Sequence, residues 1–449
     1  MFAATAAVGC GAEDTAPAAA GAESTAGDGE GSLDTGAPDT ADAGTAAGDG
    51  APGDGGADAA ADGGKEVAAD VDEGPFVPAD HPPTPLASKK SGTVLKQPRV
   101  VAVTYNADPR QADVDQFVAK LGATDYWQAV TAEYGVGPLV ALPPIHLPVT
   151  ATPSMTDKTI EEMVVASLSG AKPLWGAPNG NAIYAIFLPQ NVKLAMADGS
   201  GNGCQSFGGY HNSVDVAGEE IPYAVILACK SWGGGAKSLL QSVTTTASHE
   251  LIEAATDPRP LAQPAYLTTD VDHLAWGYTV GGEVGDLCTF AAPEPFLLPG
   301  LGYVVQRSWS NAAAKAGHDP CVPHLDDAPY FNSVPVLTDT VKIGGYIKTK
   351  GVTIPVGNSA DVELDLFSDA PTDGDWDVSA EDYYTYITHG FGGAPELDFA
   401  FDRAHGHNGD KITMTITVNK MDTKWKAEPF VVISELGGRR NLWIGIVGN

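Results

Sequence analysis

Nowhere in its 449 residues does the chain hold an uninterrupted apolar run of the roughly 18 to 20 residues that cross a bilayer as a helix, so no transmembrane span is expected. Basic residues are also scarce: 25 Lys and Arg stand against 57 Asp and Glu, for a formal net charge of −32. Nucleic acids are gripped through a basic stripe, and its lack disfavours any such partner. Aromatic residues are nearly missing from Gly11 to about Ser88, where Ala, Gly, Asp, Thr and Pro prevail. A segment of that composition cannot bury enough surface to offset the entropy of ordering it. About sixteen of the acids fall in the first 75 residues against Lys65 alone, so the remainder is only moderately acidic. With 43% hydrophobic residues and this length, two or three domains with ordinary cores can form.

Cysteine is sparse too, at five residues that divide into one and four. Cys10 ends Ala7-Val8-Gly9-Cys10, which resembles a bacterial lipobox, whose cysteine is lipidated after signal cleavage. The stretch before it is short and lacks a positive n-region, so this reading implies a start upstream of Met1. Residues 1–92 then read as a lipoprotein-like start and a disordered acidic linker that tethers the folded region near a membrane. Without lipidation the same segment is a plain tail. The other four cysteines suit the disulfides of an exported protein, Cys204 with Cys229 and Cys288 with Cys321; the alternative is four buried thiols. The expected location is the outer membrane or cell surface as a lipoprotein, or the medium as a secreted protein.

From residue 93 to 325 strand and helix patterns alternate. Arg99 to Tyr105, Ala182 to Leu188 and Ile221 to Ala228 read as buried strands, and Gln111 to Leu121, Asp125 to Tyr134 and Asp157 to Leu168 as helices. This argues an α/β domain with a mostly parallel or mixed sheet. Gly233-Gly234-Gly235 lacks the Lys-Ser/Thr ending of a phosphate loop and reads as a turn. From 326 to 449 period-two alternation and frequent turns give about seven short strands, the pattern of an all-β immunoglobulin-like sandwich serving as an accessory domain. Asn408-Gly409 is a hairpin signal. Asp402, His405, His407 and Asp410 could hold a cation, but a solvated hairpin loop is the preferred reading of them.

The chemistry concentrates at Ser248-His249-Glu250-Leu251-Ile252-Glu253-Ala254-Ala255-Thr256-Asp257-Pro258. Leu240, Val243, Ala247, Leu251 and Ala254 recur at steps of three and four, a buried helical stripe. His249 and Glu253 share the other face with Ser242, Thr246 and Thr256. One helical turn apart, they can reach one metal ion, while Glu250 is turned toward a bound water. This is the zincin geometry, with Glu253 in place of the usual second histidine. Gly281-Gly282-Glu283-Val284-Gly285-Asp286-Leu287-Cys288 offers the third ligand, Asp286 or Glu283, on a backbone that glycine lets approach closely. Set against this, a polar helix face is often only a solvated face. His211 reads as a loop residue, either a bystander or a further metal or substrate contact.

Three further stretches carry a resemblance. Asp125-Tyr126-Trp127 through Tyr134-Gly135, the Cys204 to His211 loop and Ala254-Ala255-Thr256-Asp257-Pro258 resemble the plant phosphate-induced, or EXORDIUM-like, secreted proteins. The Ser248 to Pro258 stretch, the Gly282 to Cys288 loop and Trp309-Ser310-Asn311 are more similar to bacterial and fungal secreted relatives of that group. The resemblance covers roughly Pro98 to Pro323. The plant members keep the Thr-Asn/Asp-Pro ending without the His-Glu, which implies that the fold can exist without a metal.

Together these readings lead to a surface or secreted Zn2+-dependent hydrolase, most plausibly a peptidase. Its partner would be a protein or peptide substrate, or a cell-surface polymer, with Glu250 as general base. The alternatives are a non-catalytic extracellular binding or signalling protein of EXORDIUM-like type, and an adhesin acting through residues 326–449.

Overall fold

The computed structural model describes residues 75–230, 236, 238–290, 296–298, 300–324, 328–388 and 395–449. Cys10, the expected tether up to residue 74 and the Gly233-Gly234-Gly235 turn lie outside them. Six strands build one sheet: β1 (Arg99–Thr104), β2 (Val140–Ala141), β3 (Ile145–His146), β4 (Ala182–Phe187), β5 (Gly209–Val216) and β6 (Glu219–Ile226). The order is β2-β1-β4-β6-β5, with β3 also paired to β1. Every pairing is parallel except β5 on β6. The sheet is therefore mixed, with its antiparallel strand at an edge.

Four helices cover it: α1 (Gln111–Leu121), α2 (Asp125–Thr131), α3 (Asp157–Leu168) and α4 (Leu239–Thr256). Successive strand residues point to opposite faces, and the core divides accordingly. Val100, Ala102, Ile183 and Ala185 pack with Val114 and Phe117 of α1, Trp127 of α2 and Leu251 of α4. Val101, Val103, Tyr184 and Ile186 pack on the other side with Ile160 and Val164 of α3. Thr156 starts α3 by accepting the Thr159 amide at 3.2 Å, one half of a capping box.

Among the described residues from 328 onward lie ten strands rather than about seven. Four form one sheet, in the order Phe331–Pro335, Ser359–Ser368, Lys411–Val418, Leu397–Phe401. Six form another, in the order Asp339–Ile343, Ile347–Thr353, Arg439–Gly448, Ala427–Leu436, Trp376–Asp382, His405–Gly406. Inward residues such as Leu364, Leu366, Ile412, Met414 and Phe430 share one apolar cluster with α1 and α4. Trp276 joins the regions, its ring 5.8 Å from that of Trp309 and 5.9 Å from that of Trp443.

Two sequence expectations change here. Asn408-Gly409 does turn the chain, but the strands on either side enter different sheets and do not pair as a hairpin. The freed Asn408 amide instead holds the stretch before β1, accepting from the Ala79 amide and donating to the Val77 carbonyl, both at 2.9 Å. Residues 76–92, assigned by composition to the linker, are built onto the fold. His81 stacks on Phe367 at 3.6 Å, and Ala87–Ser88 pairs antiparallel with Thr268–Thr269. An extended Pro-rich segment can join an existing surface without a core of its own.

Candidate metal centre

Helix α4 is buried on both faces. Leu251 and Ala254 meet the sheet as expected, but Ser242, Thr246, His249, Glu253 and Thr256 are enclosed as well, so the polar face is not solvated. Strand β5 and the 281–288 loop supply the cover. Three of the helix hydroxyls donate to backbone carbonyls, Ser242 to Cys229 at 2.7 Å, Ser248 to Thr245 at 2.7 Å and Thr256 to Ile252 at 3.0 Å. The charged side chains have no such exit.

Four acids and two histidines converge there, with side chains only 2–9% exposed. His249 Nε2 lies 3.2 Å from Glu253 Oε2 and 3.6 Å from Asp286 Oδ1. His211 Nδ1 lies 3.6 Å from the same Glu253 Oε2 and 3.7 Å from Glu250 Oε2, and its Nε2 is 3.6 Å from Glu283 Oε1. Two triads, His249-Glu253-Asp286 and His211-Glu253-Glu283, each gather their ligand atoms within 4.8 Å of one another. Ligands bonded at about 2.0–2.2 Å to a tetrahedral zinc stand roughly 3.3 Å apart, so the first triad fits such an ion. Asp286 Oδ1 and Glu283 Oε1 are buried without a hydrogen-bond partner, as is Asp257 Oδ2 beside them.

The surrounding bonds aim these atoms. Glu253 Oε1 accepts the Gly285 and Asp286 amides, each at 3.1 Å, which leaves Oε2 for the cluster. Gln306 donates its amide to the Gly285 carbonyl at 2.7 Å, so its Oε1 turns to His249 Nδ1 at 3.0 Å. That acceptor places a proton on Nδ1 and turns Nε2 toward Glu253 and Asp286, the usual outer support of a metal-binding histidine. Nothing in the sequence around Gln306 marks it for this role.

Burial, reinforced by Glu253, raises the carboxyls of Glu283 and Asp286 well above the usual carboxylate range. Burial also raises Glu250, against the pull of His211. Burial opposes charge on Glu253 and His249 alike, but their attraction for each other outweighs it, lowering Glu253 and raising His249. A set so arranged keeps Glu250, Glu283 and Asp286 inclined to hold their protons unless a cation takes the protons' place.

Glycines make the approach possible. A side chain on Gly285 would meet Glu253 Oε1 at 2.8 Å and His249 Nδ1 at 2.9 Å, and one on Gly209 would meet Glu250 Oε1 at 2.7 Å. At Gly281, with φ +113°, a Cβ would lie 2.0 Å from Asp286 Oδ2. Gly282 instead faces Gly277 and Thr268. The loop is also pinned by the Cys288–Cys321 disulfide, while Cys204–Cys229 ties the segment before β5 to the segment after β6; both pairings are those expected.

His211 departs from its expected setting, since it sits on β5 and not in a loop, with its side chain 4% exposed among three acids. The alternative cluster near residue 405 is different. There His407 is 62% exposed, and Asp410 pairs with Arg403 at 3.2 Å and His407 at 3.1 Å. It is a solvated loop.

No family model and no curated protein matches the chain. Among solved structures it is similar to domains 4 and 5 of the S-layer protein SbsC, at 11% identity and a TM-score of 0.16, covering 26% of this chain and 53% of that one. It is likewise similar to titin M4, at 9% identity and a TM-score of 0.15, covering 28% and 98%. The chain thus spans about half of the SbsC structure, and scores this low bear on neither fold class nor function.

Proposed function

We propose that the protein is an exported metal-dependent hydrolase, most plausibly a peptidase, whose centre is His249, Glu253 and Asp286 with Glu250 as general base. The observation that carries this reading is the convergence of His249 Nε2, Glu253 Oε2 and the unpartnered Asp286 Oδ1 at distances that suit one ion. One imidazole with two carboxylates suits zinc or a harder divalent cation. Held by His249, Glu253 and Asp286, such an ion would supply a Lewis acid to polarise a substrate carbonyl and acidify water. Glu250 follows His249 on the helix, and its burial in a charged setting suits a carboxylate that takes up a proton during attack.

The two disulfides support an oxidising compartment, and no described helix is long and apolar enough to cross a membrane. We read residues 93–325 as the α/β catalytic domain, the two sheets after 326 as an immunoglobulin-like accessory module, and Cys10 as a lipidation site. The substrate would be a protein, a peptide or a cell-surface polymer. In the test, Glu250→Gln keeps its metal while hydrolysis of a generic protein substrate falls by about 10²–10⁴-fold. If Glu250→Gln hydrolyses as fast as wild type, the assigned base is wrong.

One observation favours a second reading, a non-catalytic extracellular binding or signalling protein with a structural ion. The candidate ligands are all nearly inaccessible, at 2–9% side-chain exposure. On this reading metal removal lowers stability and no hydrolysis is found.

A further inference from the structure

We infer that the cluster holds two divalent ions, with Glu253 as their shared ligand; this rests on the metal reading above and extends it. One ion lies among His249, Glu253 and Asp286, and the second among His211, Glu253 and Glu283. Three observations point there. Glu253 Oε2 is the atom common to both sides, 3.2 Å from His249 Nε2 and 3.6 Å from His211 Nδ1, while Oε1 is engaged by two backbone amides. A carboxylate held this way offers its free oxygen to two centres.

Each triad also contains one carboxylate oxygen that is buried without a hydrogen-bond partner: Asp286 Oδ1 in the first, Glu283 Oε1 in the second. A single ion at the first triad satisfies Asp286 and leaves Glu283 without a cation, facing the Asp257 carboxyl. Buried acceptors without donors are uncommon in stable folds, and a second cation is the species this chain's own residues fit.

Charge leads to the same count. Glu250, Glu253, Asp257, Glu283 and Asp286 are all buried, and the ion pairs these acids make among the described residues are to His211 and His249 only. With all five acids ionised, two divalent ions offset four negative charges, where one offsets two. His211 then gains a role the single-ion picture lacks: its Nδ1, 3.6 Å from Glu253 Oε2, is the ligand atom for the second ion, and its Nε2, 3.2 Å from the Asp257 carbonyl, takes the outer hydrogen bond that orients the ring. Two ions close together are a common arrangement for hydrolysing a substrate bound between them.

The test uses the untagged full chain, stripped with chelator and dialysed against zinc alone, with bound metal measured per chain. Two equivalents are expected in wild type, one in His211→Ala and one in Glu283→Gln. Loading wild type with manganese alone should give the exchange-coupled paramagnetic spectrum of a close pair, which decides the matter even if a variant fails to fold. One equivalent with an uncoupled manganese spectrum overturns the second ion and leaves the single-ion reading standing. No bound metal at all overturns both.

Discussion

Two regions of this molecule bring acids and histidines together, and they differ in every respect that matters. Around Asp410 the groups stand in water and pair with Arg403 and with one another, so each charge has solvent or a partner. Around Glu253 the groups are enclosed by α4, β5 and the 281–288 loop, and carboxylate oxygens are left unpaired. Residue type is common to both. What separates a candidate centre from a surface loop is desolvation without compensation, because burying a lone carboxylate is costly and is tolerated where something completes it.

The largest effect that sharpens this contrast is expected from Glu253→Ala. It removes the acceptor for two buried amides and the ligand shared by both triads. Metal content should fall to near zero, and stability should drop by about 3–5 kcal/mol, the scale of breaking a buried charge pair. Chemical denaturation with elemental analysis reads both. A variant as stable and as metal-rich as wild type would erase the distinction between the regions.

A smaller effect should follow from Gln306→Leu, which takes away the acceptor that fixes the His249 tautomer but no ligand. Affinity for zinc should weaken about 10–100-fold with the number of bound ions unchanged, as measured by competition with a chelating dye. Loss of stoichiometry instead would make Gln306 a ligand.

The smallest is Asp410→Asn in the exposed loop. Stability should shift by no more than about 0.5 kcal/mol and metal content not at all. A loss of bound metal there would mean that the exposed loop holds an ion as well.

The sheet and helices before residue 260 were legible because their apolar spacing is clean: Gln111–Leu121 and Asp157–Leu168 fall where the pattern put them. The period-two alternation does not reach the Phe331–Pro335, Trp376–Asp382 and His405–Gly406 strands. Asn332, Ser333 and Pro335 hide the first, and Asp377, Glu381 and Asp382 dilute the second. The pair His249 and Glu253 could be read from helical periodicity alone. His211 could not, because Gly209-Tyr210-His211-Asn212-Ser213 lacks the alternation of a strand, and pairing with β6 sets its place. Gln306 illustrates a wider limit, since an outer support is defined by a distant carbonyl in the fold and leaves no local signature.

The most direct test of the central claim is the metal content of the full chain purified without chelator. At least one tightly bound divalent ion per chain is expected, lost together with His249→Ala. Wild-type protein that is folded, disulfide-bonded and metal-free, and that takes up no zinc on titration, would contradict the account.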